Sequence, residues 1–156
     1  MEYDDIESLE KYLKQVEKEL LSEANRKEVK YPQDKITPWN SEGLIQENED
    51  LLSSATGNAS VYAIYTADHN SDSYSLRYIG KTRKSLARTR LKNHLIKKHE
   101  KTGAKLSKVI DHVQSGGKIK ISWVSVSPES LRNYIEEELI EKHSESNWNK
   151  HAGKDA

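Results

Sequence analysis

Two short runs, residues 60–66 and 75–80, are rich in tyrosine and aliphatic side chains and flank the polar cluster Asp68-His69-Asn70-Ser71-Asp72. No other feature limits the possible folds of this chain as much. Such runs favour the pleated surface of a sheet, and the polar cluster has to turn the chain back on itself. They predict an antiparallel hairpin whose loop is too long for the tightest turns. Ile119, Ile121 and Trp123 alternate as a third strand that continues through Val126.

Around these strands the apolar spacing is helical. Ile6, Leu9, Leu13, Val16 and Leu20 form one stripe on a helix over about 4–25, packed on its own domain or serving as a short coiled-coil seam. Pro32 and Pro38 mark an irregular connector. A shorter helix starts near Ser41, uses Leu44, Ile45, Leu51 and Leu52, and dissolves at Ser53-Ser54. Another runs from about Ser85 to Lys101, with Leu86, Leu91, Leu95 and Ile96 facing inward. Leu106, Val109, Ile110 and Val113 define the next, closed by Gly116-Gly117. Ser127-Pro128-Glu129 reads as the N-cap and first turn of a last helix, carrying Leu131, Ile135, Leu139 and Ile140 to near Ser144. From residue 60 the order is β-β-α-α-β-α, which argues for an α+β fold: a small sheet with helices packed on it.

Composition narrows the function classes. A chain of 156 residues is one ordinary domain, and without cysteine it has no disulfide, thiolate metal site or cysteine nucleophile. No apolar stretch approaches the roughly 20 residues that span a bilayer, and the acidic N-terminus lacks a signal-peptide hydrophobic region. The expectation is a soluble intracellular protein. The zero net charge hides an asymmetry, because residues 1–60 hold seven Lys/Arg against fourteen Asp/Glu and residues 61–156 hold eighteen against eleven. Between Lys81 and Lys108 stand eleven basic residues and one acid, Glu100. Taken alone, such a block is a solvated helix face. Directly after a tyrosine pair it becomes a candidate phosphate-binding surface: Arg83, Lys84, Arg88, Lys92, Lys97, Lys98, Lys101 and Lys105.

Tyr62 and Tyr78 lie on the two strands, Lys81 follows, and Arg90 and His94 stand four apart on one helix face. Two phenols, an arginine and a histidine brought together this way point to phosphodiester chemistry. Glu136 supplies the carboxylate that is still needed: it stands about one position around from inward-facing Ile135 and Leu139 and could border the sheet. A guanidinium fork matches two phosphate oxygens and keeps its charge. A phenol has a pKa near 10 and needs a neighbouring cation to serve as a base, a part Lys81 could play. Each tyrosine alone would read as sheet packing, and Glu136 as one exposed acid among Glu137, Glu138 and Glu141. Tyr65 has the opposite parity to Tyr62 and should face away; Trp123 and Trp148 read as core.

These residues resemble the GIY-YIG nuclease superfamily. Ser60-Val61-Tyr62 is similar to its first motif with serine for glycine, and Tyr78-Ile79-Gly80 matches the second. Arg90-Leu91-Lys92-Asn93-His94 resembles the arginine-helix motif, Glu136 with Leu139-Ile140 the glutamate motif, and Trp148-Asn149 the closing aromatic-asparagine. The match spans about 60–150 in order, with a longer hairpin loop, a wider spacing that makes Arg88 a rival to Arg90, and no proline before Trp148. The resemblance implies a small antiparallel three-stranded sheet flanked by helices, with residues 1–58 as an N-terminal helical extension for DNA contact or dimerisation and 59–156 as the nuclease core. It implies a catalytic set of Tyr62, Tyr78, Lys81, Arg90, His94, Glu136 and Asn149, with Tyr62 as general base. Glu136 would anchor Mg²⁺, or Mn²⁺ in its place. The implied protein is a cytoplasmic endodeoxyribonuclease of a prokaryote or phage, acting on double-stranded DNA as a homodimer and most similar to small type II restriction enzymes. Asn149 is expected to hold the site together through its amide. The alternatives are a structure-specific repair or recombination nuclease, and a non-catalytic nucleic-acid-binding module.

Overall fold

The computed structural model describes residues 1–98 and 105–149. They form an α+β fold: a four-stranded antiparallel sheet with helices on both faces. The helices are α1 (Ile6–Leu21), α2 (Gln33–Ile36), α3 (Ser41–Glu47), α4 (Glu49–Ala55), α5 (Ala87–Leu95), α6 (Leu106–Gln114) and α7 (Leu131–Lys142). The strands are β1 (Lys27–Glu28), β2 (Val61–Ala67), β3 (Ser75–Lys81) and β4 (Lys118–Val124), in the spatial order β1-β4-β2-β3. The sheet thus has four strands where three were expected. The addition is two residues of the N-terminal segment, pairing Lys27 with Ile121 and Glu28 with Lys120. So short a strand has no alternation to read. No described helix is long and apolar enough to cross a membrane.

Strand β2 is buried along its whole length because both of its faces are covered. Tyr62 and Ile64 face a cluster with Leu44, Leu52, Leu91, Leu95 and Val109. Val61, Ala63 and Tyr65 face the other cluster, with Val16, Leu20, Ile135 and Leu139. Helices α3–α6 therefore cover one face, and α1 and α7 the other. Each fully buried leucine or isoleucine contributes about 1.5–3 kcal/mol. Ser60 is buried and its Oγ accepts from the Val126 N–H at 3.1 Å.

Several elements end where side chains capture the backbone. Helix α1 stops at Leu21, short of residue 25, because Asn25 Nδ2 donates to Glu19 O and Arg26 donates to Leu21 O, both at 2.8 Å. The helix expected from Ser41 breaks at buried Asn48, whose amide exchanges hydrogen bonds with the Lys30 backbone at 2.8 and 2.9 Å. It then runs past Ser53-Ser54 to Ala55. Helix α5 is shorter than the expected 85–101. It follows a 3₁₀ turn, Lys84–Leu86, and ends at Leu95, where Tyr31 Oη donates to Leu95 O (2.9 Å) and Trp39 Nε1 to Ile96 O (2.8 Å). Leu86, expected inside, is exposed. Helix α7 begins at Leu131 rather than at Ser127-Pro128-Glu129, because the Glu129 carboxylate accepts from the Lys84 backbone N–H instead of capping its own helix.

Candidate active site

Register builds the site first. Tyr62 pairs with Gly80 across β2 and β3, and Ile64 with Tyr78. A Cβ at Gly80 would fall 2.5 Å from Tyr62 Cζ and 2.6 Å from its Oη, so only glycine lets the phenol lie across β3. Gly80→Ala is expected to cost about 1–3 kcal/mol by displacing the phenol, read as a lower urea midpoint. An unchanged midpoint would show that the ring has room to move.

The next step is a bulge. Past Ile64 the partner of Tyr65 is Leu76, which leaves Arg77 as an extra residue in β3. Without it, Leu76 and Tyr78 would share a face. With it, Leu76 packs beside Tyr65 while Tyr78 turns to the Tyr62 side. Arg77 O accepts from the Trp148 N–H at 2.9 Å. One residue on, Asn149 Oδ1 accepts from Ile79 N and Asn149 Nδ2 donates to Ile79 O, both at 2.8 Å. The Trp148-Asn149 dipeptide thus acts as a pseudo-strand along the edge of β3. With both ends of its amide engaged, Asn149 is a positioning residue here.

Helix α5 closes the site. Its His94 ring centroid lies 5.6 Å from that of Tyr62 and 5.1 Å from that of Tyr78, and the two phenol rings are 6.1 Å apart. The Lys105 backbone N–H donates to His94 Nδ1 at 3.0 Å. That nitrogen therefore carries no proton, and in the neutral ring the proton sits on Nε2, aimed at Tyr62 Oη 2.7 Å away. Burial, with Arg90 and Lys105 behind it, pulls the His94 pKa down from 6.5 to about 3. The unfolded chain takes up a proton below pH 6.5 and the folded one only near pH 3. The stability His94 contributes is therefore complete above pH 6.5 and is lost as pH falls to 3, at up to about 1.4 kcal/mol per pH unit. Urea midpoints at pH 7 and pH 4.5 should diverge in the native protein and converge in His94→Gln.

Arg90 and Arg88, two apart, leave α5 in opposite directions. Arg88 forks onto the Glu49 carboxylate at 2.6 and 2.8 Å. Arg90 is exposed beside the phenols, and its charge favours ionisation of both. Burial still dominates: Tyr62, fully buried, is held well above the ordinary phenol pKa, first by desolvation and then by Tyr78. Tyr78 is pushed the same way by burial and then by Glu136.

Glu136 arrives from the other side of the sheet. Ile135 and Leu139 seat α7 on the face opposite Tyr62, yet β3 is an edge strand, and the carboxylate acts around its rim on both phenols. Burial raises the Glu136 pKa, while Lys81 and Arg90 draw it down. Lys81 does not serve the phenol. It pairs with Val61, whose side chain faces α7, so its Nζ lies 3.7 Å from Glu136 Oε1 and donates to Asn133 Oδ1 at 2.8 Å. Arg90 is the cation beside Tyr62. Among the described residues no three His, Cys, Asp or Glu gather as a metal cage. One carboxylate, 18% exposed, fits a hard ion such as Mg²⁺ that completes its shell with water and phosphate oxygens.

The candidate DNA-contacting cations divide. Arg83 lines a cleft beside Arg90. Lys92, Lys97 and Lys98 line an adjoining hollow, with Lys97 Nζ 3.2 Å from Glu42 Oε1. Lys84 gives its backbone N–H to Glu129, Arg88 is held by Glu49, and the Lys105 ammonium lies 5.7 Å from the centre of the Tyr78 ring. Lys101 lies outside the described residues. Asn93, Arg132 and Asn133 also belong to this region, and a sequence reading centred on lysines and motif positions misses them. Asn93 stood inside the arginine-helix motif. No family model, curated protein or solved structure matches this chain.

Proposed function

We propose that the chain is a Mg²⁺-dependent endodeoxyribonuclease with a GIY-YIG-like core, most similar to small type II restriction enzymes. One observation carries the reading: Tyr62, Tyr78 and His94 are in ring contact, and the charges of Arg90 and Glu136 both act on the two phenols. The three strands of that core would be β4, β2 and β3.

Phosphodiester hydrolysis needs an activated water, a clamp on the phosphoryl oxygens and help for the leaving alkoxide. Arg90, exposed at the rim, is the clamp. Mg²⁺ bound at Glu136 would supply charge neutralisation on the phosphoryl and leaving oxygens. His94 Nε2–H donates to Tyr62 Oη, so His94 does not hold the phenol's own proton. That hydrogen bond and Arg90 favour the phenolate; burial, Tyr78 and Glu136 oppose it. A cation at Glu136 would cancel one of the opposing charges and so raise the fraction of Tyr62 present as phenolate. A homodimer is the assembly that suits a palindromic duplex site.

The test is digestion of unmethylated phage DNA with Mg²⁺, with and without chelator, followed by end sequencing. Discrete, chelator-sensitive bands with a common end sequence are expected. Cleavage confined to branched oligonucleotides would shift the reading to a structure-specific nuclease. Binding without cleavage of either would leave a non-catalytic module.

A further inference from the structure

A cleft of about 350 Å³ opens beside Arg90, between the turn after β3, helix α5 and the start of α7. Lys81, Arg83, Arg90 and Arg132 line it together with Thr89 and Asn93, and no acidic residue does so among the described residues. Its arginines differ from Arg88, because none of the three enters an ion pair among the described residues. Lys81 has Glu136 as a counter-charge at 3.7 Å, but three arginines converging outside any ion pair still raise a local potential that favours an anion.

Asn93 is the second, independent observation. It is 5% exposed, and its carboxamide makes no hydrogen bond among the described residues. Arg26 Nε is the buried side-chain nitrogen or oxygen left without a partner among the described residues, so the amide atoms of Asn93 are open to the cleft rather than sealed in the protein. An amide at the wall of a cationic cleft, without a protein partner, has both a donor and an acceptor to offer a ligand. Two other buried asparagines, Asn48 and Asn149, spend theirs on backbone.

We infer that this cleft is a second phosphate subsite, holding a backbone phosphate of the strand whose neighbouring phosphate lies at Arg90. Arg83 and Arg132 neutralise it, and Asn93 Nδ2–H donates to one of its oxygens. The inference rests on the nucleic-acid reading of the adjoining site. Two phosphates held at fixed separation set the strand's register over Tyr62 and Glu136 without reading bases.

The test is duplex binding by fluorescence anisotropy in chelator, using a mixed-sequence duplex about two helical turns long and salt from about 50 to 200 mM. Arg83→Ala and Arg132→Ala should each lower the slope of log K against log salt by about one. Asn93→Ala should weaken binding about tenfold with the slope unchanged. Asn93→Asp, of equal volume but anionic, should weaken it further. Wild-type slopes in both arginine variants, with wild-type affinity in Asn93→Asp, would overturn the subsite even if the native protein cuts plasmid. Binding that depends on Arg132 and Asn93, with no cleavage by the native protein in Mg²⁺, would leave the subsite standing and remove the nuclease reading. A native protein that binds no duplex refutes both.

Discussion

Cleavage by the Glu136→Ala protein is expected to fall below detection while duplex binding survives. Glu136 is the carboxylate that acts on both phenols and lies 3.7 Å from Lys81, so its loss removes the proposed anchor for Mg²⁺. Removing one preorganised stabiliser of transition-state charge costs roughly 10²–10³-fold in rate, and losing the ion itself should cost more. Binding in chelator should be unchanged or tighter, because a negative charge leaves the surface proposed to face phosphates. Stability should hold, since burial already disfavours this carboxylate and Lys81 keeps its bond to Asn133. Plasmid nicking in Mg²⁺ and anisotropy in chelator measure the two halves. Nicking at the native rate would exclude Glu136 from the chemistry.

Tyr62→Phe, which removes one oxygen, is expected to slow turnover about 10²–10⁴-fold, the range of a lost general base. The same change leaves the His94 Nε2–H without its buried acceptor, at a cost of about 1–3 kcal/mol in stability, so melting curves must accompany the kinetics. pH separates the two effects. A phenol held above its usual pKa is a base whose reactive fraction grows as pH rises, about tenfold per unit below that pKa. The native rate should climb across the neutral and alkaline range, and the phenylalanine variant should be flat. His94 is a poor substitute, because its Nδ1 is occupied by the Lys105 N–H and its Nε2 bears the proton. A Tyr62→Phe protein cutting at full rate would show that the phenol is not the base.

What could be read before folding was what depends on neighbours in sequence. The hairpin, β4 and the apolar stripe of α1 follow from periodicity. Arg90 and His94 share a face because four residues make about one helical turn, and the choice between Arg90 and Arg88 follows from the same geometry once the inward face of α5 is known. The bulge at Arg77 was not legible. Unbroken alternation would put Leu76 and Tyr78 on one face, and the carbonyl that helps hold the extra residue is bonded from Trp148, seventy-one positions away. Lys81 stands beside Glu136 rather than the phenols, a placement that its odd spacing from Tyr78 on β3 already carried. Asn48, Asn93 and Asn149 look alike in sequence. Two act as substitutes for backbone and one faces a cleft.

The chain's own order of residues determined its helices, its hairpin and which chemical groups lie on each, because dihedral preference and side-chain periodicity are local properties. Only tertiary packing decided that Tyr62 is fully buried with His94 donating to it, that α7 approaches from the opposite face, and that Glu136 acts around the edge of β3. Those outcomes depend on register, on a single extra residue and on which strand is left at the rim. All three are fixed by contacts between distant segments, for which no spacing along the chain is a signal.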